Sequence, residues 1–419
     1  MKREKQAMKK AGMDALIFEN VYDDGTCLWF TEFDYNALFK LEKGNSVAEW
    51  MGTFPNENFM QERLYSSMAL CQNKLYFAPH SAKEIAVYDM ESNLLKKMNL
   101  IRPNIDNGFL WEQSKFFKIA AIDECIYLIP FHYPGILCYN TKTEEFFCFD
   151  GWIGEIEKSR ESKWGYFISC QQVAKQLILP CACADAVVIF DTITKKTKII
   201  HMPHTSYPCK YCGVCYAGGY YYFIAGDGTV VKSKLEQMQE KSNKINQIKP
   251  GTDEISYYPI QYMNGFIYLF PFRNGIGWKI DIKTDEIIPE SFFDDEKEYR
   301  GKNFYFLTAI SDKGKLYSVT GNSRRFIQYD FQNNSKVEMH IMPSEHVRKL
   351  VQYEKKQAFA KKFCQECIME ETEGLLPFMI DALVTIDKKK EDKNAGKGKI
   401  GSEIYHKLMS NVTSGKDAD

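Results

Sequence analysis

The chain has 419 residues, of which 14% are aromatic, and a formal net charge of −1 at pH 7. This length exceeds what one compact hydrophobic core usually supports, so we expect either several domains or an array of repeats. The balanced charge gives no support for a nucleic-acid-binding protein or for a protein held on an anionic membrane surface. The high aromatic content favours β-strands, where broad rings cover a pleated and half-buried surface.

The N-terminal residues 1–13 are basic, but no apolar stretch of the length that a signal peptide needs follows them. No window approaches the roughly 18 consecutive apolar residues of a membrane-spanning helix. The 13 cysteines, an odd number, are scattered through apolar segments, which is typical of reduced and buried thiols. The sequence therefore predicts a cytoplasmic protein without a membrane span, and a secreted, disulfide-bonded protein is the alternative.

A repeated pattern organises the chain between residues 14 and 343. Each copy contains a short apolar strand that ends in Pro or Thr, followed after a loop by an apolar residue and then Asp or Asn. The five clear copies are residues 75–79 with Tyr88 and Asp89, 126–130 with Tyr139 and Asn140, 176–180 with Phe190 and Asp191, 267–271 with Ile280 and Asp281, and 316–320 with Tyr329 and Asp330. Two weaker copies begin at Cys27 and Tyr221, so that seven units recur at steps of 45 to 51 residues.

Within each unit the sequence predicts four short strands joined by tight turns. In the third unit the predicted strands are residues 116–121, 125–129, 136–139 and 145–149. Gly, Asn and Asp recur between first and second strands, as at Asn264 and Gly265, because tight hairpins need residues that tolerate a positive φ. Four-stranded units at this period indicate a β-propeller. We therefore predict an all-β, seven-bladed β-propeller of four-stranded blades, with a helical C-terminal extension.

The order of second strand, loop, Tyr-Asp and then Thr resembles the kelch repeat over roughly residues 14–343. The family's Gly-Gly doublet after the second strand is absent, and prolines such as Pro79 and Pro130 stand near that position. The resemblance therefore implies a propeller architecture and carries over no family active site. For the repeated Asp we expect a structural role, capping the turn that follows it, and for the repeated Tyr a position between blades.

The sequence divides into four predicted segments: an N-terminal arm (1–13), the propeller (14–343), a helical extension (344–386), and a linker with a short C-terminal helix (387–419). After residue 343 the apolar spacing becomes that of an amphipathic helix, with Val347, Leu350 and Val351 on one face. Residues 387–399 are rich in Lys, as expected for a solvated linker. Two interpretations of the tail stay open: it packs on the propeller, or it docks on a partner protein as a helix in a groove.

One face of the predicted disc concentrates the long loops. In four-stranded blades, the loops after the second strands share one side, here called the loop face, with the connections between blades. The short hairpins lie on the opposite side, the hairpin face. Because function usually resides on loops held by a rigid scaffold, we predict that a protein or a carbohydrate-like ligand binds the loop face. The predicted ligand-binding residues are His80, Trp111, Phe131, His132, Trp152, Trp164, Asp227, Arg273 and Arg324. The alternative for each is that it only seals the blades.

One local group of Cys and His residues has the composition of a metal site. The candidate ligands are Cys181, Cys183, His204, Cys209 and Cys212. Thiolates and imidazoles suit zinc, but a strand beginning near Gly213 would aim Cys212 and Cys215 at opposite faces. Small buried thiols are also common in protein cores. We therefore predict no metal and no other cofactor.

The sequence favours a non-catalytic binding or scaffold protein. It contains no Gly-x-Ser-x-Gly nucleophile motif, no phosphate-binding loop and no dinucleotide-binding glycine motif. The alternative is a propeller enzyme, a glycan hydrolase, lyase or epimerase, that uses the loop histidines His80 and His132 with or without a metal. These two histidines follow the second strands of adjacent units and are therefore candidates to converge on one ligand.

Overall fold

The computed structural model describes residues 14–103, 110–234, 243–245, 257–271, 277–290, 306–312, 315–321, 324–330, 333 and 335–367. The described strands form seven antiparallel sheets, each built from four strands that are consecutive in the chain. The first strands of neighbouring sheets lie next to one another. The fold is therefore mainly β, a seven-bladed β-propeller, as the repeat predicted.

The first four blades are formed by residues 22–201. Blade 1 contains β1 (Tyr22–Asp23), β2 (Cys27–Thr31), β3 (Leu38–Glu42) and β4 (Val47–Gly52). Blade 2 contains β5 (Tyr65–Cys71), β6 (Lys74–Pro79), β7 (Ile85–Asp89) and β8 (Leu94–Met98). Blade 3 contains β9 (Phe116–Ile122), β10 (Cys125–Pro130), β11 (Ile136–Asn140) and β12 (Glu145–Phe149). Blade 4 contains β13 (Gln171–Val173), β14 (Gln176–Pro180), β15 (Ala186–Asp191) and β16 (Thr197–His201).

The last three blades follow the same order. Blade 5 contains β17 (Tyr211–Ala217), β18 (Tyr220–Ala225), β19 (Val230–Ser233) and β20 (Asn243–Ile245). Blade 6 contains β21 (Tyr257–Met263), β22 (Phe266–Pro271), β23 (Gly277–Asp281) and β24 (Ile287–Glu290). Blade 7 contains β25 (Phe306–Asp312), β26 (Lys315–Thr320), β27 (Phe326–Asp330) and β28 (Ser335–Met339).

The second strand of each blade is the most deeply buried, and this explains why the repeat is so apolar. In β10 every residue after Cys125 is buried, and β6 and β22 show the same pattern. Both faces of such a strand pack against neighbouring blades, so the strand is a continuous apolar run rather than an alternating one. Aromatic rings fill the space between blades, as in the pairs Trp29–Tyr88, with ring centroids 5.3 Å apart, and Tyr127–Phe190, at 5.7 Å.

The repeated Asp caps the hairpin that follows the third strand, as the pattern predicted. The Oδ1 atom of Asp191 accepts hydrogen bonds from the backbone N–H groups of Ile193 and Thr194, at 3.0 and 2.8 Å. Asp89 and Asn140 form the same pair of bonds in their own blades. These turns close on themselves through side-chain-to-backbone bonds two and three residues ahead.

The ring closes without exchange of a strand within a blade, a point that the sequence left open. A short additional strand, β29 (Met342–Pro343), pairs in parallel with the outer strand β4 of blade 1. The backbone N–H of Leu16 also donates to the carbonyl of Ile341 at 2.7 Å. The chain that leaves blade 7 is thus fastened to the edge of blade 1, which covers an otherwise exposed strand edge.

The described helices are short, apart from one that follows the propeller. They are α1 (Leu110–Gln113), α2 (Ile153–Lys158) and α3 (Glu345–Cys367). The chain divides into two compact units after Ser344, and α3 belongs to the second. None of the helices within the described ranges has the length and apolar character needed to cross a bilayer. The predicted arm at 1–13, the remainder of the extension beyond Cys367 and the tail at 387–419 lie outside the described residues.

Candidate functional site

A pocket opens on the loop face where the loops of blades 3, 4 and 5 meet. Its volume is about 1090 Å³. The residues that line this loop-face pocket are Phe131, His132, Arg160, Glu161, Ser162, Lys163, Trp164, Gly165, His204, Ser206, Tyr207, Pro208 and Lys210. Of the predicted ligand-binding residues, the structure brings Phe131, His132 and Trp164 together here, and all three are half-buried.

The wall formed by Phe131 depends on a close approach between two segments of backbone. The carbonyl of Phe131, directly after β10, accepts a 2.6 Å hydrogen bond from the backbone N–H of Tyr166. A Cβ atom at Gly165 would lie 2.5 Å from the Phe131 ring and 2.6 Å from its carbonyl oxygen. Only glycine therefore fits at position 165, and the absence of a side chain lets the connection between blades 3 and 4 lie against Phe131.

A second glycine positions Tyr207, another aromatic residue of the pocket lining. A Cβ atom at Gly226 would lie 2.4 Å from Cδ1 of the Tyr207 ring and 2.3 Å from the carbonyl oxygen of Cys209. The Tyr207 ring consequently rests on bare backbone in the loop after β18, and it stays half-buried. Both aromatic walls of the pocket are thus fixed by glycine contacts between segments from different blades.

Arg160, a lining residue of the pocket, joins α2 to the segment around Trp164. It was not among the predicted ligand-binding residues. Its guanidinium makes two 2.8 Å hydrogen bonds to the carboxylate of Glu157 and donates to the carbonyl of Trp164 at 2.7 Å. The guanidinium also lies over the Tyr166 ring, 4.8 Å from the centroid. A signal for this role was present, since Glu157 and Arg160 have the spacing of a helical ion pair at the end of α2.

Lys210 forms the centre of a group of charged side chains on the rim. Glu161, Asp185 and His204 offer three ligand atoms of the type that bind metals, all within 4.8 Å of one another. The Lys210 ammonium, only 4% exposed, lies 2.5 Å from Glu161 and 3.8 Å from Asp185. It also donates to the carbonyl of Thr205 at 2.6 Å. The lysine thus supplies the positive charge that a metal ion would otherwise supply, and this group is an ion-pair network.

The structure does not assemble the predicted cysteine ligands into one site. Cys181 and Cys183 lie in the core between blades 3 and 4, whereas Cys209 and Cys212 lie in a core formed mainly by blades 5 and 6. Burial raises the pKa of the Cys183 thiol to about 11 and that of Cys181 well above its ordinary value, so both are neutral thiols. His204 is largely exposed, and its Nδ1 donates to a carboxylate oxygen of Asp185 at 2.7 Å.

His80 and His132 both lie in ring contact with Phe131. His80 is 6% exposed and stacks with Phe131 at a centroid distance of 6.2 Å. Neither of its ring nitrogens has a hydrogen-bond partner in the part of the chain that the structure describes. Burial lowers the pKa of both histidines, which keeps the imidazoles neutral near pH 7.

Three other predicted ligand-binding residues make contacts within the protein itself. The indole of Trp152 is 0% exposed, packs on Tyr166 and Phe167 and donates to the carbonyl of Phe149, so the expectation that it contacts a ligand was wrong. Asp227 caps its own turn through the N–H of Thr229. Arg324 binds Asp34 and the carbonyl of Ala15, and these contacts join blade 7 to the N-terminal segment.

Two predicted residues cannot be placed in the site. Arg273 lies outside the described residues, and for Trp111 the structure describes only the backbone, within α1. Their assignment as ligand contacts stays a prediction.

No protein-family model matches this sequence, and no curated protein matches it. Several solved propellers resemble the structure. Sqt1 of Saccharomyces cerevisiae is 9% identical with a TM-score of 0.52, and the match covers 79% of this chain and 86% of that one. YCF48 bound to D1 peptide is 10% identical with a TM-score of 0.51, covering 74% and 92%. PorZ of Porphyromonas gingivalis is 10% identical with a TM-score of 0.50, covering 79% of this chain but only 39% of its own length. At these identities the likeness shows the β-propeller fold alone, and the kelch resemblance holds only at that level.

Proposed function

We propose that the protein is a non-catalytic binding propeller that captures a peptide segment of another protein in the loop-face pocket. The observation that carries this proposal is the pair of half-buried aromatic residues, Phe131 and Tyr207, that line one open cavity and that glycine contacts hold in place. Trp164 and His132 add two further ring systems to the lining.

A preorganised aromatic pocket suits the binding of peptide side chains. Large rings bury much apolar area while losing little conformational freedom, so the entropy lost on binding is small. The volume of about 1090 Å³ lies at the upper end of the range of known ligand pockets, which leaves room for more than one side chain. The charges on the rim are largely paired, since Arg160 binds Glu157 and Lys210 binds Glu161. The pocket therefore favours a ligand recognised mainly by its apolar surface.

The peptide class also agrees with one structural relative. YCF48, a propeller of the same fold, binds the D1 peptide. A carbohydrate-like ligand is the other class that stacks on aromatic rings, and the experiment below separates the two. We also propose a cytoplasmic location, supported by the eleven described cysteines, all of which are free thiols.

The test is a selection of random peptides, displayed on phage, against the purified full-length chain. Peptides that are enriched should lose at least about tenfold in affinity with Tyr207→Ala, since removing an interface aromatic typically costs more than about 1 kcal/mol. The matched control is Tyr216→Ala, because Tyr216 is 39% exposed at the end of β17 near the hairpin face and packs on Tyr221.

Three results would overturn the proposal. They are an absence of enriched peptides, an equal loss of affinity in both tyrosine variants, and binding on a glycan array that Tyr207→Ala abolishes. The last result would replace the peptide by a carbohydrate. Turnover on a panel of glycans that is lost with His132→Gln would instead support the enzymatic alternative.

A further inference from the structure

The imidazole of His80 is buried, and its two nitrogen atoms form no hydrogen bond with the described residues. Its ring lies between Phe131 and Phe117, with centroid distances of 6.2 and 6.3 Å. Within the described ranges neither Nδ1 nor Nε2 has a hydrogen-bond partner, although only 6% of the residue is exposed. Buried polar groups in proteins are nearly always paired, so an orphaned imidazole in a loop site points to a group that binds there.

Lys115 carries a second buried group whose charge acts on this imidazole. Lys115 is 5% exposed, and its backbone N–H donates to the carbonyl of His80 at 3.0 Å. Its Nζ donates to the carbonyl of Glu112 at 2.7 Å, and among the described residues no carboxylate lies within 4 Å of it. The carboxylates of Glu57 and Glu112 favour the charged form of Lys115 from beyond that distance, whereas burial, the larger effect, lowers its pKa. A buried ammonium without a carboxylate in contact is costly, so an anion that reached it would complete the site.

The remaining charged neighbours of His80 are also cationic. Arg63, Lys115 and His132 are the ionisable groups whose positive charge disfavours protonation of His80. The Arg63 guanidinium lies over the Phe117 ring at 5.0 Å and binds Glu19 at 2.6 Å, so part of its charge is balanced. Arg63 and Lys115 thus place two cationic groups, each balanced in part by carboxylates, near the His80 imidazole.

We propose that His80, Lys115 and Arg63 form a carboxylate-binding subsite next to the loop-face pocket, with Phe131 as the shared wall. The inference rests on the proposed function and narrows it, because the captured peptide then presents a carboxylate as well as apolar side chains. The carboxylate comes from an Asp or Glu side chain or from the C-terminus of the peptide. One oxygen accepts from the His80 N–H, and the charge is balanced by the Lys115 ammonium.

The first experiment uses acetate as the probe. The protein is labelled with nitrogen-15 in histidine, and the His80 ring signals are assigned by their loss in His80→Asn. Acetate should shift these signals in a saturable way, whereas chloride at equal ionic strength should not. Lys115→Met should abolish the shift while keeping the backbone hydrogen bonds of position 115. The matched control, Lys158→Met, removes an exposed lysine of α2 and should leave the response intact. An acetate response that is absent, or unchanged in Lys115→Met, would overturn the subsite.

The second experiment separates the sources of the carboxylate. Peptides obtained by the phage selection are resynthesised with Asp and Glu replaced by Asn and Gln, or with an amidated C-terminus. One of these changes should weaken binding at least about tenfold in the wild type and much less in Lys115→Met. Peptides that bind equally well without any carboxylate would overturn the subsite and leave the proposed function standing. An acetate response without any selected peptide would leave the subsite standing and overturn the proposed function.

Discussion

The hairpin face and the loop face of this propeller are held together by different kinds of contact. On the hairpin face, Asp191 and its counterparts bond to backbone groups two and three residues ahead in their own turn. On the loop face, Phe131 bonds to Tyr166 across two blades, and Lys210 bonds through its backbone to Ala182. Equivalent backbone bonds join other neighbouring blades, from Lys115 to His80 and from Arg63 to Phe33, so the first face is closed within each turn and the second by contacts between blades.

This difference explains where binding specificity resides. A turn that closes on itself tolerates change in the rest of the molecule, so the same turn chemistry recurs in blade after blade. On the loop face the bonds between blades also recur, but the connections that carry them, such as residues 150–170 and 202–210, differ in length and in side chains from blade to blade. The loop face can therefore carry a distinct pocket while the blades keep a common structure.

The largest expected effect comes from Gly165→Ala, which breaks a long-range contact of the loop face. The added methyl group would overlap the Phe131 ring and carbonyl oxygen, and both must shift. We expect a loss of roughly 1–3 kcal/mol in the free energy of unfolding, the usual range for overpacking. We also expect weaker binding of selected peptides, because Phe131 forms a pocket wall. Chemical denaturation and peptide titration measure the two effects.

The matched control for that variant is Gly154→Ala, also on the loop face but in the interior of α2. A Cβ atom at Gly154 meets nothing within 4 Å. Alanine should stabilise the protein by up to about 1 kcal/mol, because it favours a helix over glycine. If both variants lose stability to the same degree, the contact between Gly165 and Phe131 is not what positions the pocket.

The next prediction concerns the buried carboxyl group of Glu32, which lies in the loop after β2. Burial, and then the charge of Asp34, raises the pKa of Glu32 on the loop face to about 8 from a reference of 4.5, although the N–H groups of Ile17 and Tyr35 bond to it. A raised folded-state pKa gives stability that is complete below about 4.5 and lost as the pH rises through about 8. Relative to Glu32→Gln, the wild type should lose roughly 1 kcal/mol per pH unit in that window. Thermal unfolding across the window measures the slope, and parallel curves would contradict the argument.

The sequence predicted the blades well because their determinants are local and repeated. The apolar second strands, the Asp caps and the number of blades all follow from the copies around residues such as Tyr88 and Asp191. The closure through β29 was not predictable, since two residues at an edge carry no pattern of their own.

The site was predicted only in part. Phe131, His132 and Trp164 were found because aromatic and ionisable residues in long loops are a signal in themselves. Trp152 gave the same signal, but its indole turns into the core, and side-chain direction in an irregular loop cannot be derived from spacing. Gly165 is undetectable without coordinates, because its role is defined by an atom that it lacks and by a neighbour from another blade.

The smallest expected effect comes from Asp191→Ala on the hairpin face. Asp191 is half-buried, and hydrogen bonds from the turn, above all from Thr194, lower the pKa of its carboxyl group. A lowered folded-state pKa gives stability that is present above the unfolded value and lost as the pH falls through the folded value, so this contribution disappears only in acid. The variant should lower the melting temperature less than Gly165→Ala does and leave peptide affinity unchanged, because the turn contacts no loop-face residue. A loss of peptide affinity in Asp191→Ala would mean that the two faces are coupled through blade 4, and the separation of stability from binding would fail.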